Sequence, residues 1–297
     1  MRFIDRFLVV LALLMFGQAL VQAVVRQWED FAALARRPPP SWQKPAPGAP
    51  PDRPAPHTPL GQHLLPPASD RDPAIQVNPA PPRRPETRST GTAFAVGRDG
   101  AWLTARHVVD GCARIQIRRG NAWDPAAVEF ADASADIAVL RARGGGPPLP
   151  VSAGPLALGE PGYAFGFAGQ GGPSAIHAAL LGRARTLQSG RMAGSTPVTA
   201  WAERAIVPPG ERWIGGMSGG PLTTWDGSVV GIMSVASERR GRIYTVAPEV
   251  IAATVQRTGL RFVPPGAAPV SAGPASFDAA RDELMSRRSV VQVLCAG

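Results

Sequence analysis

From Ser89 onward the chain is written in short apolar runs, each closed off by glycine, proline, aspartate or asparagine. Thr90-Gly91-Thr92-Ala93-Phe94-Ala95-Val96 alternates with the period of a strand, and Arg98-Asp99-Gly100 turns the chain into Trp102-Leu103-Thr104. Similar runs predict strands over 114–117, 127–130, 137–141, 162–167, 176–186 and 229–234. Many short strands separated by turn signals describe an all-β barrel or sandwich. One late helix is expected over 248–256, with Pro248 at its start and Gly259 just past its end.

The chain ahead of this region has a different character. Prolines crowd residues 38–85, densest at Pro38-Pro39-Pro40 and Pro81-Pro82. Such a stretch cannot bury enough apolar surface to offset its ordering entropy, so it reads as an extended spacer. At the N-terminus, Arg2 and Arg6 precede an apolar run from Leu8 to Val25, interrupted only by Gly17, Gln18 and Gln22. Basic residues ahead of an apolar core mark an export signal or a signal anchor. Val21-Gln22-Ala23 suits cleavage after Ala23, while the length also suits a membrane span, and both readings stay open. The expected location is the bacterial cell envelope, either anchored at the periplasmic face of the inner membrane or released to the periplasm.

The formal net charge of +9 raises nucleic acid as a partner, but the sequence argues against it. The basic residues are arginines apart from Lys44, they are scattered, and no nucleic-acid-binding motif accompanies them. Cys112 and Cys295 could pair in an oxidising compartment or remain as small buried thiols. No spacing rule connects them, which leans toward unpaired thiols. Of the four histidines none stands at a ligand spacing from a cysteine, so neither a metal nor a cofactor is expected.

Three short segments carry chemistry. Ser218 lies in Gly215-Gly216-Met217-Ser218-Gly219-Gly220-Pro221, a loop able to bend sharply and turn backbone N–H groups toward a developing oxyanion. His107 follows the strand Trp102-Leu103-Thr104 across a short turn, where a barrel would hold a general base rigidly. Asp136 directly precedes the apolar strand Ile137-Ala138-Val139-Leu140, with Asp132 as its rival for orienting a histidine. The Gly-x-Ser-x-Gly pattern around Ser218 also fits a hydrolase elbow. That elbow needs a following helix and a later histidine, whereas Gly-Gly-Pro and a strand follow, and no histidine comes after Ser218.

Together these segments resemble the trypsin-like serine proteases of the HtrA (high-temperature-requirement) type. Residues 90–109 resemble their histidine region, 136–140 their Asp-Ile-Ala-Val-Leu strand, 158–166 their central strand and 216–234 their serine loop. The resemblance covers residues 89–260 and implies a double six-stranded Greek-key β-barrel with a short C-terminal helix. It implies that Ser218 is the nucleophile, His107 the general base and Asp136 its orienting acid, with an oxyanion hole from the N–H groups of Gly216 and Ser218. Ser234 matches the segment that pairs with substrate backbone, while Arg212, Ala236 and Arg242 fall near the pocket. The implied activity is that of a serine endopeptidase acting on polypeptides through an acyl-enzyme, without a cofactor.

Some residues depart from the family pattern. Met217 stands before the nucleophile, where relatives carry Asp or Asn, so the loop must be held by packing or by activation. This leaves a peptide-binding or scaffolding module as a second reading, and an esterase on the same fold as a third. After Leu260 too few residues remain for a PDZ domain. The first barrel strand of the family is replaced here by the spacer, and residues 289–295 are expected to fill that position from the C-terminus, as in a circular permutation, with a dimerising or disordered tail as the alternative. The expected organisation is a signal or anchor over 1–25, a spacer over 26–86, a protease domain over 87–262 and a helix-plus-strand extension over 263–297.

Overall fold

The structure, a computed structural model, describes residues 63–77 and 88–297, except 133, 170, 190–192, 211–213, 261–262, 265–269 and 274, together with Gln18 and Gln22. The expected signal or anchor over 1–25 therefore lies, but for those two glutamines, outside the described residues. Among the described residues no helix is long and apolar enough to cross a membrane.

Two closed six-stranded barrels carry the described chain. The first is built from β2 (Arg88–Ala95), β3 (Ala101–Thr104), β4 (Arg114–Arg119), β5 (Ala122–Ala131), β6 (Ala138–Ala142) and β13 (Val290–Ala296), closing in the order β13-β2-β3-β6-β5-β4. The second comprises β7 (Pro161–Ala168), β8 (Gly172–Gln188), β9 (Gly194–Val207), β10 (Pro221–Thr223), β11 (Val229–Ser237) and β12 (Arg242–Val246). It closes where β8 pairs with β9. Among the described residues three α-helices accompany them: α1 (Arg106–Val109), α2 (Pro248–Thr258) and α3 (Phe277–Ser286). Proline in the first turn of α2 and left-handed Gly259 at its end place that helix where the sequence does.

The C-terminal strand is integral to the first barrel. Strand β13 lies antiparallel between β2 and β4, with Val291 opposite Ala93 and Cys295 opposite both Ser89 and Ile115. Val290, Val291, Val293 and Cys295 are buried, so both faces of this strand are covered. Cys112, just past α1, is joined to Cys295 by a disulfide, with the two α-carbons 5.5 Å apart. The leaning toward unpaired thiols is thereby corrected. A separation of 183 residues hid the pairing, since only the return of β13 into the barrel brings the two together.

The spacer too is partly folded. Leu65 N–H donates to the Leu156 carbonyl, and β1 (Ala74–Val77) runs parallel to β8, with Ala74 opposite Arg185. Two further strands, β9 and β12, escape the hydrophobic reading because threonines, Thr196, Thr199 and Thr245, stand among their buried apolar residues. Buried Thr199 and Thr245 bond to one another at 2.7 Å, and Trp201 Nε1 donates to both. A polar inner face satisfied in this way costs little, yet it erases the apolar alternation that marks a strand.

Candidate functional site

Residues His107 and Asp136 come together through the first barrel's own strands. Thr104 ends β3, Ala105 introduces α1, and His107 occupies its second position. Asp136 stands two residues before β6, the strand that pairs with β3, with Thr104 opposite Ala138. This antiparallel register delivers the two side chains to one end of the barrel. His107 Nδ1 lies 2.7 Å from Asp136 Oδ2, and the His107 backbone N–H donates to Oδ1 at 2.9 Å.

Asp136 is 1% exposed, so its carboxylate depends on these bonds. Ser234 adds a third, its hydroxyl donating to Oδ2 at 2.6 Å. Burial pushes the Asp136 carboxyl up, but the His107 charge and the hydrogen bonds from His107 and Ser234 outweigh it and hold the group below its ordinary value. Asp132, the rival, is also buried but is committed elsewhere. Ser134 donates twice to its Oδ1, while Thr254 and Arg257 of α2 donate to its Oδ2. It fastens the late helix to the first barrel.

Ser218 sits on a loop set by close backbone contacts. Its carbonyl accepts from Thr92 N–H at 2.8 Å, and the Thr92 carbonyl in turn accepts from Thr104 Oγ1 at 2.7 Å. Gly219 has a φ of +86°, and a Cβ there would stand 2.2 Å from Thr104 Oγ1 and 2.8 Å from Ala105 N. Glycine is thus required next to Ser218, against the residues that lead into His107. Gly216 has a φ of +101°, and its carbonyl accepts from Thr92 Oγ1 at 2.7 Å.

The loop's donors divide into two groups. Met217 N–H bonds to Ile214, Gly219 N–H to Met233 and Gly220 N–H to Met217. Among the described residues no acceptor takes the N–H of Gly216 or of Ser218. Met217 itself is fully buried, in the cluster that includes Trp201, Ile214 and Leu222, and its α-carbon packs against Gly166. Packing therefore holds this loop where a polar side chain does so in the family pattern.

The expected substrate-binding residues are placed less uniformly. Ser234 lies at a bulge in β11, between Met233 opposite Thr245 and Val235 opposite Tyr244. Ala236 and Arg242 are both exposed near the turn of the β11–β12 hairpin, where Ser237 pairs with Arg242. Arg212 lies outside the described residues. Thr92 and Thr104, which stitch the serine loop to the histidine turn, were not singled out from sequence; their only signal is a threonine at an inward strand position. Among the described residues no group of three or more His, Cys, Asp or Glu side chains is placed to hold a metal ion.

Comparison with known proteins bears on the same region. Residues 91–232 match the family model of the trypsin-like peptidase domain. A probable periplasmic serine endoprotease, DegP-like, of Pseudomonas savastanoi pv. phaseolicola is 31% identical over 169 residues, which is 54% of this chain and 32% of that protein. Protein y4bJ of Sinorhizobium fredii is 30% identical over 159 residues, 52% of this chain and 23% of its own length. The chain thus spans a third or less of these relatives. The crystal structure of the Rv3671c protease from M. tuberculosis, active form, superposes with a TM-score of 0.50 at 21% identity, over 70% of this chain and 99% of that one. That likeness concerns the fold, and the fold is the trypsin-like double barrel. Residues 91–232 of this chain thus match a trypsin-like peptidase domain, and the chain is similar in sequence to a DegP-like serine endoprotease over about half of its length.

Proposed function

We propose that the protein is a serine endopeptidase of the cell envelope, with Ser218 as nucleophile, His107 as general base and Asp136 as the acid that orients it. The observation that carries this reading is the buried Asp136 carboxylate, which takes the His107 ring, the His107 N–H and the Ser234 hydroxyl together. Such a carboxylate fixes the imidazole with its proton on Nδ1 and leaves Nε2 to accept one. Ser218 Oγ then attacks the scissile carbonyl carbon while its proton passes to His107 Nε2. The carbonyl electron pair moves onto oxygen, where the N–H groups of Gly216 and Ser218 receive it. Collapse breaks the C–N bond, His107 returns its proton to the leaving amine, and water hydrolyses the acyl-enzyme by the reverse roles.

The envelope location rests on the basic and apolar N-terminal pattern and on the periplasmic designation of the DegP-like relative. The substrate is polypeptide. Arg212, Arg242, Ala236 and the Ser234 backbone are the residues proposed to meet it.

A fluorophosphonate probe tests the assignment. Wild type should label on Ser218, while Ser218→Ala and His107→Ala should not. A folded wild type that never labels would turn the reading toward a peptide-binding module. Labelling with ester but no peptide turnover would turn it toward an esterase.

A further inference from the structure

The end of the first barrel remote from His107 and Asp136 holds a cavity of about 180 Å³. Its wall is formed by Trp102 at the start of β3, Arg119 at the end of β4, Gly145 and Gly146 beyond β6, and Arg287 and Arg288 between α3 and β13. Strands β3 and β6 therefore carry the candidate catalytic residues at one end and this cavity at the other. Its volume is below the ~300 Å³ at which pockets for drug-sized ligands begin. A small group fits.

The lining presents donors and no acidic side chain. Arg119 is held by Nε on Asp124 at 3.2 Å and by Nη1 on the Arg143 carbonyl, and Arg287 by Nε on Glu283. Each guanidinium carries five N–H donors, so neither is exhausted by these partners. Arg288 has no acidic partner among the described residues. Three arginines around a cavity whose wall holds no carboxylate point to an anionic occupant.

Two features of the backbone serve the same place. Gly146 packs so closely that a Cβ would stand 1.9 Å from the Arg288 carbonyl oxygen, and one at Gly145 would stand 2.5 Å from the Gly97 oxygen. The glycine run is thereby fitted against the arginine turn. In that turn, Arg288 N–H donates to the Met285 carbonyl and Ser289 N–H to the Leu284 carbonyl, the paired bonds of a Schellman helix end. The residue between them adopts left-handed backbone, normally a glycine's place, and here Arg288 holds it at φ 61°. An arginine kept against the backbone's own preference is accounted for by its side chain.

We propose that this cavity binds a phosphate group, with Arg119, Arg287 and Arg288 as its cationic ligands. Three guanidinium groups arriving from two segments, Arg119 from β4 and Arg287 with Arg288 from the α3–β13 turn, suit a tetrahedral dianion with several acceptor oxygens better than a planar carboxylate, which one fork satisfies. The phosphate is either a free ion or the headgroup of an anionic lipid. When bound it ties the β4 end, the glycine loop and the α3–β13 junction together, at the point where the closing strand enters the barrel.

Calorimetric titration of the full chain with inorganic phosphate, against chloride at equal ionic strength, tests this. Flotation with phosphatidylcholine vesicles, with and without phosphatidic acid, supplies the lipid arm. Saturable binding in wild type should be lost in Arg288→Gly, a change that suits the backbone and so leaves Tm equal or higher. Binding should weaken roughly tenfold in Arg119→Ala, the loss of one charge-assisted contact. Binding to phosphate alone would name the free ion as ligand, and binding to phosphatidic acid vesicles alone would name the lipid headgroup. Failure of both arms in wild type, or binding unchanged in both variants, would overturn the proposal.

Discussion

Ser234 Oγ donates to Asp136 Oδ2 at 2.6 Å, and the same oxygen stands 2.7 Å from His107 Nδ1. The serine thereby fixes the direction of the lone pair left for the imidazole. Ser234→Ala should lower kcat/KM roughly tenfold, the worth of one charge-assisted hydrogen bond, with KM for a peptide substrate little changed. Asp136→Asn should cost far more, on the order of 10⁴-fold, because the amide favours the wrong imidazole tautomer. Equal losses in the two variants would deny Ser234 this positioning role.

The same cluster sets a pH dependence. Burial raises the Asp136 carboxyl, yet its partners bring it below the ordinary value, so its folded pKa lies under its unfolded one. Its stabilising contribution is therefore present above the unfolded pKa of about 3.9 and is lost as pH falls through the folded value. Ser234→Ala removes one of the lowering bonds, so acid unfolding should begin at a higher pH than in wild type. Circular dichroism across an acid titration would show it.

Asp132 and Asp136 are both buried, but they hold different things. Asp132→Asn should lower Tm by loosening Thr254 and Arg257 of α2, with kcat/KM kept within about threefold. A rate loss matching that of Asp136→Asn would overturn the division of roles.

Gly219→Ala places a methyl 2.2 Å from both Thr104 Oγ1 and the Thr92 carbonyl at a φ of +86°. The loop must shift, while the barrels have no reason to open. Fluorophosphonate labelling should fall at least tenfold while far-UV circular dichroism is retained, a rate ratio equivalent to about 1.4 kcal/mol.

Removing the closing strand should act on folding itself. A chain lacking residues 276–297 leaves the β2 and β4 edges unpaired and should not fold, as amide exchange across β2 would report. Replacing Cys112 and Cys295 by alanine keeps β13 but frees a long loop, and should lower stability by up to about 4 kcal/mol in denaturant titrations.

The parts legible in the sequence are those where one residue type leaves few alternatives. The all-β class followed from the alternation through Phe94 and Leu140, while the choice of Asp136 over Asp132 as the partner of His107 came from the family resemblance and is the pairing found at 2.7 Å. The partner of β2 was expected from the far terminus through the family resemblance, since the spacer stands where the family's first barrel strand belongs and Val290-Val291-Gln292-Val293 repeats that strand's pattern. What stayed hidden was decided by tertiary contact. Thr199 and Thr245 look like surface residues until Trp201 is seen between them, and Cys112 and Cys295 look unrelated until β13 is in place. The spacer prolines suggested no pairing, yet Ala74–Val77 adds a parallel strand to β8 because the β8 edge has backbone groups to satisfy there. Met217 appeared as a missing polar contact, and its full burial shows the loop seated from beneath instead.

The position of β13 also sets an order of events in the life of each molecule. Synthesis runs from the N-terminus, so β2 through β6 emerge long before Val290–Ala296 can join them. Until then the barrel that presents His107 and Asp136 has a gap between β2 and β4. The second barrel, complete by Val246, meets no such delay. A nascent chain can therefore hold a finished serine loop while His107 and Asp136 still await a scaffold, and the candidate site is withheld until Val290–Ala296 has been delivered.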